Sequence, residues 1–259
     1  MANVLDLFDL TGKTALITGG SRGLGAEIAE GLAEAGAKIF ILARREKWLT
    51  PQLEEFRERG FQCDGTLCDV TDPEQVEAAI EKAEAALGPV DILINNAGVT
   101  WGAKAEEMPL DKWKLVVDVN LTGTWLFSQA VGKRWIERSV PGTIVNVSSI
   151  AGIRGGVGDN LSLAGYAASK AGVLGLTREL AGRWGSRGIR INSIAPGFFP
   201  SRMSAGLIEQ VKDKYEAATP LRRIGRTGEL KASVLFFASD ASSYITGQTL
   251  AIDGGQTAT

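Results

Sequence analysis

Residues 14–25 read TALITGGSRGLG, a short apolar run followed at once by four glycines within seven residues. Glycines directly after a strand let the backbone turn sharply and approach a bound pyrophosphate, and the N-terminus of the next helix supplies N–H donors. The spacing is G-x3-G-x-G, which differs from the general G-x-G-x-x-G fingerprint. The stretch therefore predicts a dinucleotide-binding turn, with a glycine-rich turn that binds no ligand as the alternative.

Apolar runs without alternation recur along the chain, separated by stretches with helical spacing. The predicted strands are Thr14–Thr18, Lys38–Leu42, Phe61–Cys68, Asp91–Asn95, Thr143–Val147, Arg190–Ile194 and Thr249–Ile252. The predicted helices are Gly23–Ala35, Glu46–Arg59, Pro73–Leu87, Leu110–Arg138, Tyr166–Trp184 and Gly228–Ala238. Strands of this kind, separated by helices, are typical of a parallel sheet covered on both faces. We therefore predict an α/β fold over residues 1–259: a single doubly wound Rossmann-type domain, with a seven-stranded parallel sheet and helices on both faces.

The composition excludes several classes of site. The 259 residues include no histidine, which removes Ser-His-Asp hydrolases and histidine-ligated metals. Two cysteines without histidine make a poor zinc site, so we expect no bound metal. With 28 basic and 30 acidic residues the net charge is −2, which argues against nucleic acid as a partner.

The sequence also argues against a membrane protein. Asp6, Asp9 and Lys13 interrupt the first twenty residues, so these do not form a signal peptide. No apolar run reaches the roughly 18 residues that cross a bilayer. We expect a cytoplasmic protein with no membrane contact.

Three arginines bear on the choice of nucleotide. Arg44 lies 19 residues beyond Gly25, just after the strand KIFILA, and Arg45 is next to it. An acidic residue at this distance would bind a ribose 2′-hydroxyl, whereas arginine accommodates a 2′-phosphate. Arg22, inside the glycine turn, adds a cation that can reach the same phosphate. The pattern favours NADP(H) over NAD(H); the alternative is three ordinary solvated arginines, with Glu46 close enough to compete.

Two further strand ends fall at the same edge of the sheet. Asp69 and Val70 follow the third strand, where Asp69 either accepts a hydrogen bond from the adenine amino group or caps the helix near Pro73. Asn96-Ala97-Gly98 follows the fourth strand, and its small residues leave room for a ribose. Ligands bind outside the carboxyl ends of parallel strands, so we place both segments beside the glycine turn.

The candidate chemistry lies in Tyr166-Ala-Ala-Ser-Lys170, whose Tyr and Lys share one helix face. A free tyrosine has a pKa of about 10, and a nearby lysine ammonium lowers it, which makes Tyr166 a general acid for a carbonyl oxygen. A serine of the pair Ser148-Ser149 is placed to donate to that oxygen. Asn120 lies mid-helix, where asparagine is disfavoured. Each of these features alone is also consistent with a purely structural role, such as a solvated helix face or a serine that caps a turn.

Together, TGGSRGLG (18–25), NNAG (95–98), Asn120, Ser149, YAASK (166–170) and Pro196-Gly197 resemble the short-chain dehydrogenase/reductase family, in the order that family shows them. The resemblance implies interconversion of an alcohol and a carbonyl without metal. Tyr166 would be the acid/base and Lys170 would modulate its pKa and bind the nicotinamide ribose. Ser149 would polarise the carbonyl, since the second serine of such a pair aligns with the catalytic one, and Asn120 would hold a relay water.

The residues that we expect at the cofactor are Gly19, Ser21, Arg22, Gly23, Leu24, Gly25, Arg44, Arg45, Asp69, Val70, Asn96, Ala97, Gly98, Tyr166, Lys170, Pro196, Gly197, Phe199 and Ser201. Within the family, residues 95–103 and 194–203 resemble 3-oxoacyl reductases and gluconate 5-dehydrogenase-like members. The loop from Ser149 to Tyr166 is longer than in much of the family, so substrate identity is not carried over.

The substrate side is predicted to be an apolar wall, under a lid over about residues 198–225; the wall residues are Trp101, Leu161, Phe198 and Phe199. Arg154 or Arg202 would meet an anionic group, although a solvated arginine is the simpler interpretation of either. Small residues on helix 166–184 are typical of the family's homotetramers, while packing on the chain's own sheet explains them nearly as well. The hypothesis is an NADPH-dependent ketone reductase acting on a small carbonyl or alcohol. A polyol or sugar-acid dehydrogenase is the first alternative, and a non-catalytic dinucleotide sensor the remote one.

Overall fold

The computed structural model describes residues 3–156, 162–200 and 212–258. Within them the strands are β1 (Thr14–Thr18), β2 (Lys38–Ala43), β3 (Cys63–Leu67), β4 (Ile92–Asn95), β5 (Gly142–Val147), β6 (Ile189–Pro196) and β7 (Thr249–Ile252). They form one sheet in the order β3-β2-β1-β4-β5-β6-β7, and neighbouring strands are parallel. The winding reverses between β1 and β4, which places a crevice at their carboxyl ends. The predicted fold class is confirmed.

Helices cover both faces of this sheet. They are α1 (Gly23–Glu34), α2 (Glu46–Glu58), α3 (Pro73–Leu87), α4 (Leu110–Val117), α5 (Gly123–Arg138), α6 (Ala164–Trp184) and α7 (Lys231–Ala238). Residues 212–218 are also helical. On one face, α1, α2 and α7 pack on the sheet through side chains such as Ile28, Phe56 and Val234. On the other face, α3, α5 and α6 do so, with Ile80 and Phe127 fully buried. No helix of these described ranges is long and apolar enough to cross a membrane.

The predicted helix over Leu110–Arg138 is wrong in one place, because a π turn at Asp118–Thr122 separates α4 from α5. Helical periodicity in the sequence does not report one extra residue within a turn. The turn carries Asn120, whose side chain is fully buried. The Thr124 hydroxyl donates to the Asn120 carbonyl at 2.8 Å, four residues back. The interruption thus delivers a polar side chain to the interior without leaving that carbonyl unpaired.

The last helix begins later than Gly228–Ala238 predicts. Gly228 has φ +93°, a left-handed conformation outside any right-handed helix. The buried carboxylate of Glu27 in α1 accepts the N–H groups of Gly228 at 2.7 Å and Leu230 at 3.1 Å. A distant side chain therefore takes up donors at the start of α7, and the helix begins at Lys231. The helix propensity of residues 228–238 alone does not reveal this contact with a distant side chain.

β5, which leads to the candidate chemical site, starts at a glycine for a steric reason. A Cβ on Gly142 would overlap the indole of Trp135. That indole is 2% exposed, and its Nε1 donates to the Val90 carbonyl at 2.6 Å. The ring is therefore fixed from both sides, and no larger residue fits at the first position of β5.

We expect Gly142→Ala to lower the free energy of unfolding by about 2 kcal/mol or more, since overpacking against an immobile ring is costly. Urea denaturation measures the effect. Gly185→Ala, directly after α6, is the matched control, because its backbone is already in the right-handed helical conformation and its new methyl group meets open space. Equal stability of the two variants would contradict the steric explanation.

Candidate active site

The turns after β1 and β4 are tied together at the point where the winding reverses. The Thr18 hydroxyl accepts the N–H groups of Asn96 and Ala97 at 2.9 and 3.0 Å. The Asn96 amide donates in return to the carbonyls of Thr18 and Gly19, both at 3.0 Å. These four bonds bring the glycine turn and the NNAG segment into one rigid edge, as their position at strand ends predicts.

The glycine turn is too close-packed for side chains. Gly19 has φ +65°, and a Cβ there would lie 3.0 Å from Ala97 Cα. A Cβ on Gly25 would overlap the Gly19 carbonyl. α1 starts directly after Arg22, whose side chain carries no acceptor to cap the first-turn N–H groups. A close backbone followed by an uncapped helix N-terminus fits a dinucleotide pyrophosphate.

The three predicted phosphate arginines follow the ends of two adjacent strands, β1 and β2. The Gly20 N–H donates to the Leu42 carbonyl at 3.2 Å, which holds the glycine turn against the end of β2, two residues before Arg44. Arg22, Arg44 and Arg45 are all exposed. This edge of the site is therefore cationic and open, as a 2′-phosphate requires.

Asp69 does not cap α3. One of its carboxylate oxygens accepts the Thr71 N–H at 3.0 Å and the Thr71 hydroxyl at 2.7 Å. The capping residue is Asp72, which accepts from Glu74 and Gln75. The capping alternative for Asp69 is therefore wrong. Val70 is buried, and a Cβ on Gly123 would lie 2.8 Å from its Cγ2, so the end of β3 packs tightly on α5.

The two serines after β5 have different environments. The Ser148 hydroxyl is buried and donates to the Lys170 carbonyl at 2.8 Å, which fixes it to α6. The Ser149 hydroxyl accepts the Ala151 N–H at 3.1 Å and is hydrogen-bonded to Tyr166. Its own proton is directed at the Tyr166 oxygen. The two hydroxyls therefore differ: that of Ser148 is bonded to α6, whereas that of Ser149 lies beside Tyr166.

Burial is the largest influence on the pKa values of Tyr166 and Lys170. It raises the pKa of Tyr166, while the hydrogen bond from Ser149 lowers it by less. The predicted lowering by Lys170 is not what governs Tyr166 in the structure, although the ammonium nitrogen lies 5.7 Å from the Tyr166 ring centre. Burial lowers the pKa of Lys170 itself to about 8. Its Nζ donates to the Val147 carbonyl at 2.7 Å.

Asn120 is held by its own amide. Its Oδ1 accepts the Val99 N–H at 2.8 Å, and its Nδ2 donates to the Val99 carbonyl and the Ser169 hydroxyl, both at 3.0 Å. Gly98 lies between Asn120 and Lys170: a Cβ there would be 3.4 Å from Asn120 Oδ1 and 3.6 Å from Lys170 Nζ. The four predicted catalytic residues are thus joined through α6 and the loop after β4.

The predicted cofactor residues after β6 lie against the C-terminal segment. The Gly197 N–H donates to the Ile252 carbonyl at 2.9 Å, and a Cβ on Gly197 would lie 2.8 Å from Asp253 Cα. Phe199 is 6% exposed and belongs to the apolar core, with its ring against Gly225. The predicted nicotinamide contact of Phe199 therefore competes with core packing. Ser201 lies outside the described residues.

The predicted substrate residues are only partly brought together. Trp101 is 42% exposed, with Lys112 Nζ 5.0 Å from its ring centre. Phe198 stacks on Tyr215 with ring centres 4.4 Å apart. Arg154 donates to the Gln256 carbonyl at 2.8 Å, so it contacts the C-terminal segment, a partner that sequence does not indicate. Leu161 and Arg202 lie outside the described residues.

The chain has clear relatives. The family model described as enoyl-(acyl carrier protein) reductase matches residues 19–257. 3-Oxoacyl-(acyl-carrier-protein) reductase of Chlamydia muridarum is 38% identical over 247 residues, which cover 95% of this chain and 98% of that one. A solved short-chain type dehydrogenase/reductase from Mycobacterium marinum is 36% identical with a TM-score of 0.95, and covers 99% of this chain and 100% of that one. The chain belongs to the short-chain dehydrogenase/reductase family.

A further structural relative of this short-chain dehydrogenase/reductase contains a nucleotide. A gluconate 5-dehydrogenase from Burkholderia cenocepacia, solved in complex with NADP and tartrate, is 39% identical with a TM-score of 0.92 over 99% of this chain and 100% of that one. The predicted family and the predicted class of enzyme, an oxidoreductase acting on CH–OH and C=O groups, are both confirmed.

The sequence analysis of this short-chain dehydrogenase/reductase missed residues that position the site without belonging to the predicted set. Thr18 lies in the glycine motif (18–25) and Ser169 in YAASK (166–170). The Thr18 hydroxyl connects its motif to Asn96, and the Ser169 hydroxyl connects its motif to Asn120. A buried hydroxyl at a strand end or between two motif residues is the available signal for both. Trp48 shows no such signal in sequence, although its indole lies 5.1 Å from the Arg22 guanidinium carbon.

We expect the stability of this short-chain dehydrogenase/reductase to rise between about pH 8 and pH 10.5, relative to Lys170→Met and without cofactor. The pKa of Lys170 is lowered to about 8 from 10.5, so the unfolded chain binds the extra proton in this window. The penalty for burying the ammonium is complete below pH 8 and is relieved by about 3 kcal/mol above pH 10.5.

Urea denaturation at pH 7.5 and pH 10 measures this difference. Lys133→Met, at an exposed position of α5, controls for the loss of a lysine as such. A wild-type protein and a Lys170→Met variant with parallel pH profiles would contradict the buried-ammonium account.

Proposed function

We propose that this protein is an NADP(H)-dependent oxidoreductase that reduces a ketone, first of all a 3-oxoacyl-type substrate, to a secondary alcohol. The observation that carries the proposal is the hydrogen-bonded pair Ser149 and Tyr166 beside Lys170, at the carboxyl edge of the sheet. Two hydroxyls that already meet can both donate to one carbonyl oxygen placed between them. This is the arrangement that reduction of a ketone needs.

Tyr166 acts as the general acid. Its raised pKa keeps the hydroxyl protonated near neutral pH, so a proton is present when negative charge develops on the substrate oxygen. Ser149 uses one lone pair on the Ala151 N–H and directs its proton at the same oxygen. The pair therefore stabilises the charge before and during proton transfer.

Lys170 supplies charge and protons behind Tyr166. One ammonium proton is committed to the Val147 carbonyl, which leaves two for a ribose hydroxyl and for proton return to Tyr166. When bound, the reduced nicotinamide supplies the hydride. The residues that hold the dinucleotide are the close-packed glycine turn, Asn96–Gly98 and, at the 2′-phosphate, Arg22, Arg44 and Arg45.

Asn120 positions the site and constrains the relay water. Both of its amide protons are used on Val99 and Ser169, so a water held at Asn120 must be the donor. That water would donate to Oδ1, which keeps one lone pair beside the bond from the Val99 N–H. The predicted role of Asn120 is thereby narrowed to an acceptor next to Lys170.

The aromatic character of the substrate side favours an acyl substrate over a sugar acid. Phe198 and Tyr215 present a stacked pair, and Trp101 is exposed on the loop after β4. Arg154 is engaged with the Gln256 carbonyl, which weakens its candidacy for a substrate carboxylate. The sugar-acid alternative is supported by the gluconate 5-dehydrogenase relative. Residues 198–225 are proposed as the lid, of which 201–211 lie outside the described residues, within one domain over residues 1–259.

We also propose a homotetramer in the cytoplasm, acting on a small-molecule carbonyl or alcohol. α6 carries exposed Ala168 and Ala171, and a Cβ on Gly175 or Gly182 would meet open space. The neighbouring helices α4 and α5 expose large apolar side chains, among them Trp113, Leu115 and Trp125. Small residues flanked by exposed apolar ones suit a helix-on-helix contact between copies. Cys63 and Cys68 are buried free thiols, in keeping with a reducing compartment.

Initial rates test the substrate proposal. We expect turnover of an acetoacetyl thioester with NADPH, slower turnover of a diketone, and at least about tenfold lower kcat/KM with NADH than with NADPH. Turnover of 5-ketogluconate in preference to the thioester would contradict the 3-oxoacyl assignment and support the sugar-acid dehydrogenase alternative. NADPH binding without turnover of any of the three substrates would contradict the 3-oxoacyl assignment.

The two serines provide a matched pair for the mechanism. We expect Ser149→Ala to reduce kcat by about 100-fold or more, since it removes a donor to the developing oxyanion. Ser148→Ala should keep kcat within about threefold and lower stability by about 1 kcal/mol, because it loses only the bond to the Lys170 carbonyl. A larger loss of kcat in Ser148→Ala than in Ser149→Ala would contradict the assignment of Ser149 as the catalytic serine.

A further inference from the structure

Trp48 is the one aromatic residue that the structure places against a cation of the proposed cofactor edge, within the described residues. The Arg22 guanidinium carbon lies 5.1 Å from the centre of the indole ring, and Lys47 Nζ lies 5.1 Å from the same ring. Arg22 is the residue immediately before α1, with extended backbone, so its side chain reaches away from the helix it precedes. It crosses to the first turn of α2.

The location of the indole follows from the ends of two neighbouring strands. Thr18 at the end of β1 pairs in register with Leu42 of β2, and the Gly20 N–H donates to the Leu42 carbonyl at 3.2 Å. The chain then passes Arg44 and enters α2, where the Trp48 N–H donates to the Arg45 carbonyl at 3.1 Å. Arg22 thus meets Trp48 beside the two arginines that follow β2.

Four cations gather at this edge, and they repel one another when no anion is bound. Arg22, Arg44, Arg45 and Lys47 lie within two short segments, and Glu46 is the acidic residue between them. The face of an indole is the aromatic surface that attracts a guanidinium most strongly. Contact with Trp48 therefore offsets the repulsion and restricts the rotamers that Arg22 would otherwise explore in solvent.

The geometry points to Trp48 as a positioning residue for nucleotide selection: its indole holds the Arg22 guanidinium in place to bind a ribose 2′-phosphate. This rests on the proposed NADP(H) site and names a residue that acts on it without touching the phosphate. A guanidinium fixed in advance loses less freedom on binding a phosphate. Since NADH lacks this phosphate, the contribution of Trp48 should be confined to NADPH.

A double-mutant cycle tests the inference. Dissociation constants for NADPH and NADH are measured by calorimetry on wild type, Trp48→Leu, Arg22→Met and the double variant. We expect Trp48→Leu to weaken NADPH binding about fivefold and Arg22→Met about tenfold or more, with NADH binding unchanged within about twofold. The double variant should match Arg22→Met alone, because Trp48 has no guanidinium left to position.

Conservative and kinetic controls separate positioning from packing. Trp48→Phe keeps an aromatic face and should restore NADPH binding to within about twofold of wild type. In Trp48→Leu the KM for NADPH should rise while kcat stays unchanged, since the reacting groups lie at β5 and α6. If the leucine variant does not fold, Trp48→Gln replaces it in the same cycle.

The outcomes for the inference and for the proposed function are distinct. Wild-type protein that binds NADPH and NADH equally would contradict the proposed nucleotide preference. A wild-type preference that survives Trp48→Leu would contradict only the role of Trp48. Additive effects of the two substitutions, or an equal loss of NADH binding, would show that Trp48 only packs α2 and would overturn the inference.

Discussion

The Asn120 amide is the interaction on which the site depends most. It is fully buried, and it satisfies both polar groups of Val99 and the hydroxyl of Ser169 at once. Removing one partner would leave buried polar atoms without hydrogen bonds, a cost of about 1–3 kcal/mol for each. The loop after β4 and helix α6 are therefore fixed relative to each other through this one side chain.

The same constraint extends into the core through a chain of buried polar groups. The Thr124 hydroxyl donates to the Asn120 carbonyl, and the Ser128 hydroxyl donates to the Thr124 carbonyl in turn. Asn95 donates to Ser128 and to Asn146, which continues the chain to β5. Each of these bonds restricts its neighbours, since losing it would leave a further buried polar atom without a partner. The π turn is the local distortion that lets Asn120 enter the network, which accounts for its position at the site.

Residues that act within a short stretch could be predicted from sequence, and residues that act through the fold could not. The glycine turn, the strand ends and the spacing of Tyr166 and Lys170 are local, so the α/β fold and the grouping of motifs followed from them. The π turn and the capping by Asp72 depend on neighbours in space. The raised pKa of Tyr166 has the same origin, because its first cause is burial by segments distant in sequence. Proximity to Lys170, which the spacing revealed, is not among the causes of this shift in pKa.

The fold separates recognition of the nucleotide from chemistry. The cationic edge is built from β1 and β2, whereas Ser149, Tyr166 and Lys170 are carried by β5 and α6, beyond β4 in the sheet. The positive charges at the nucleotide edge have little effect on the protonation of the chemical site, since charges on an exposed edge are screened over about 10 Å. At the proposed chemical site the Lys170 ammonium is instead buried, and its pKa is lowered to about 8. The proposed selection of the nucleotide therefore uses exposed arginines and an indole, while the proposed proton transfer draws on the buried Lys170, and neither requirement compromises the other.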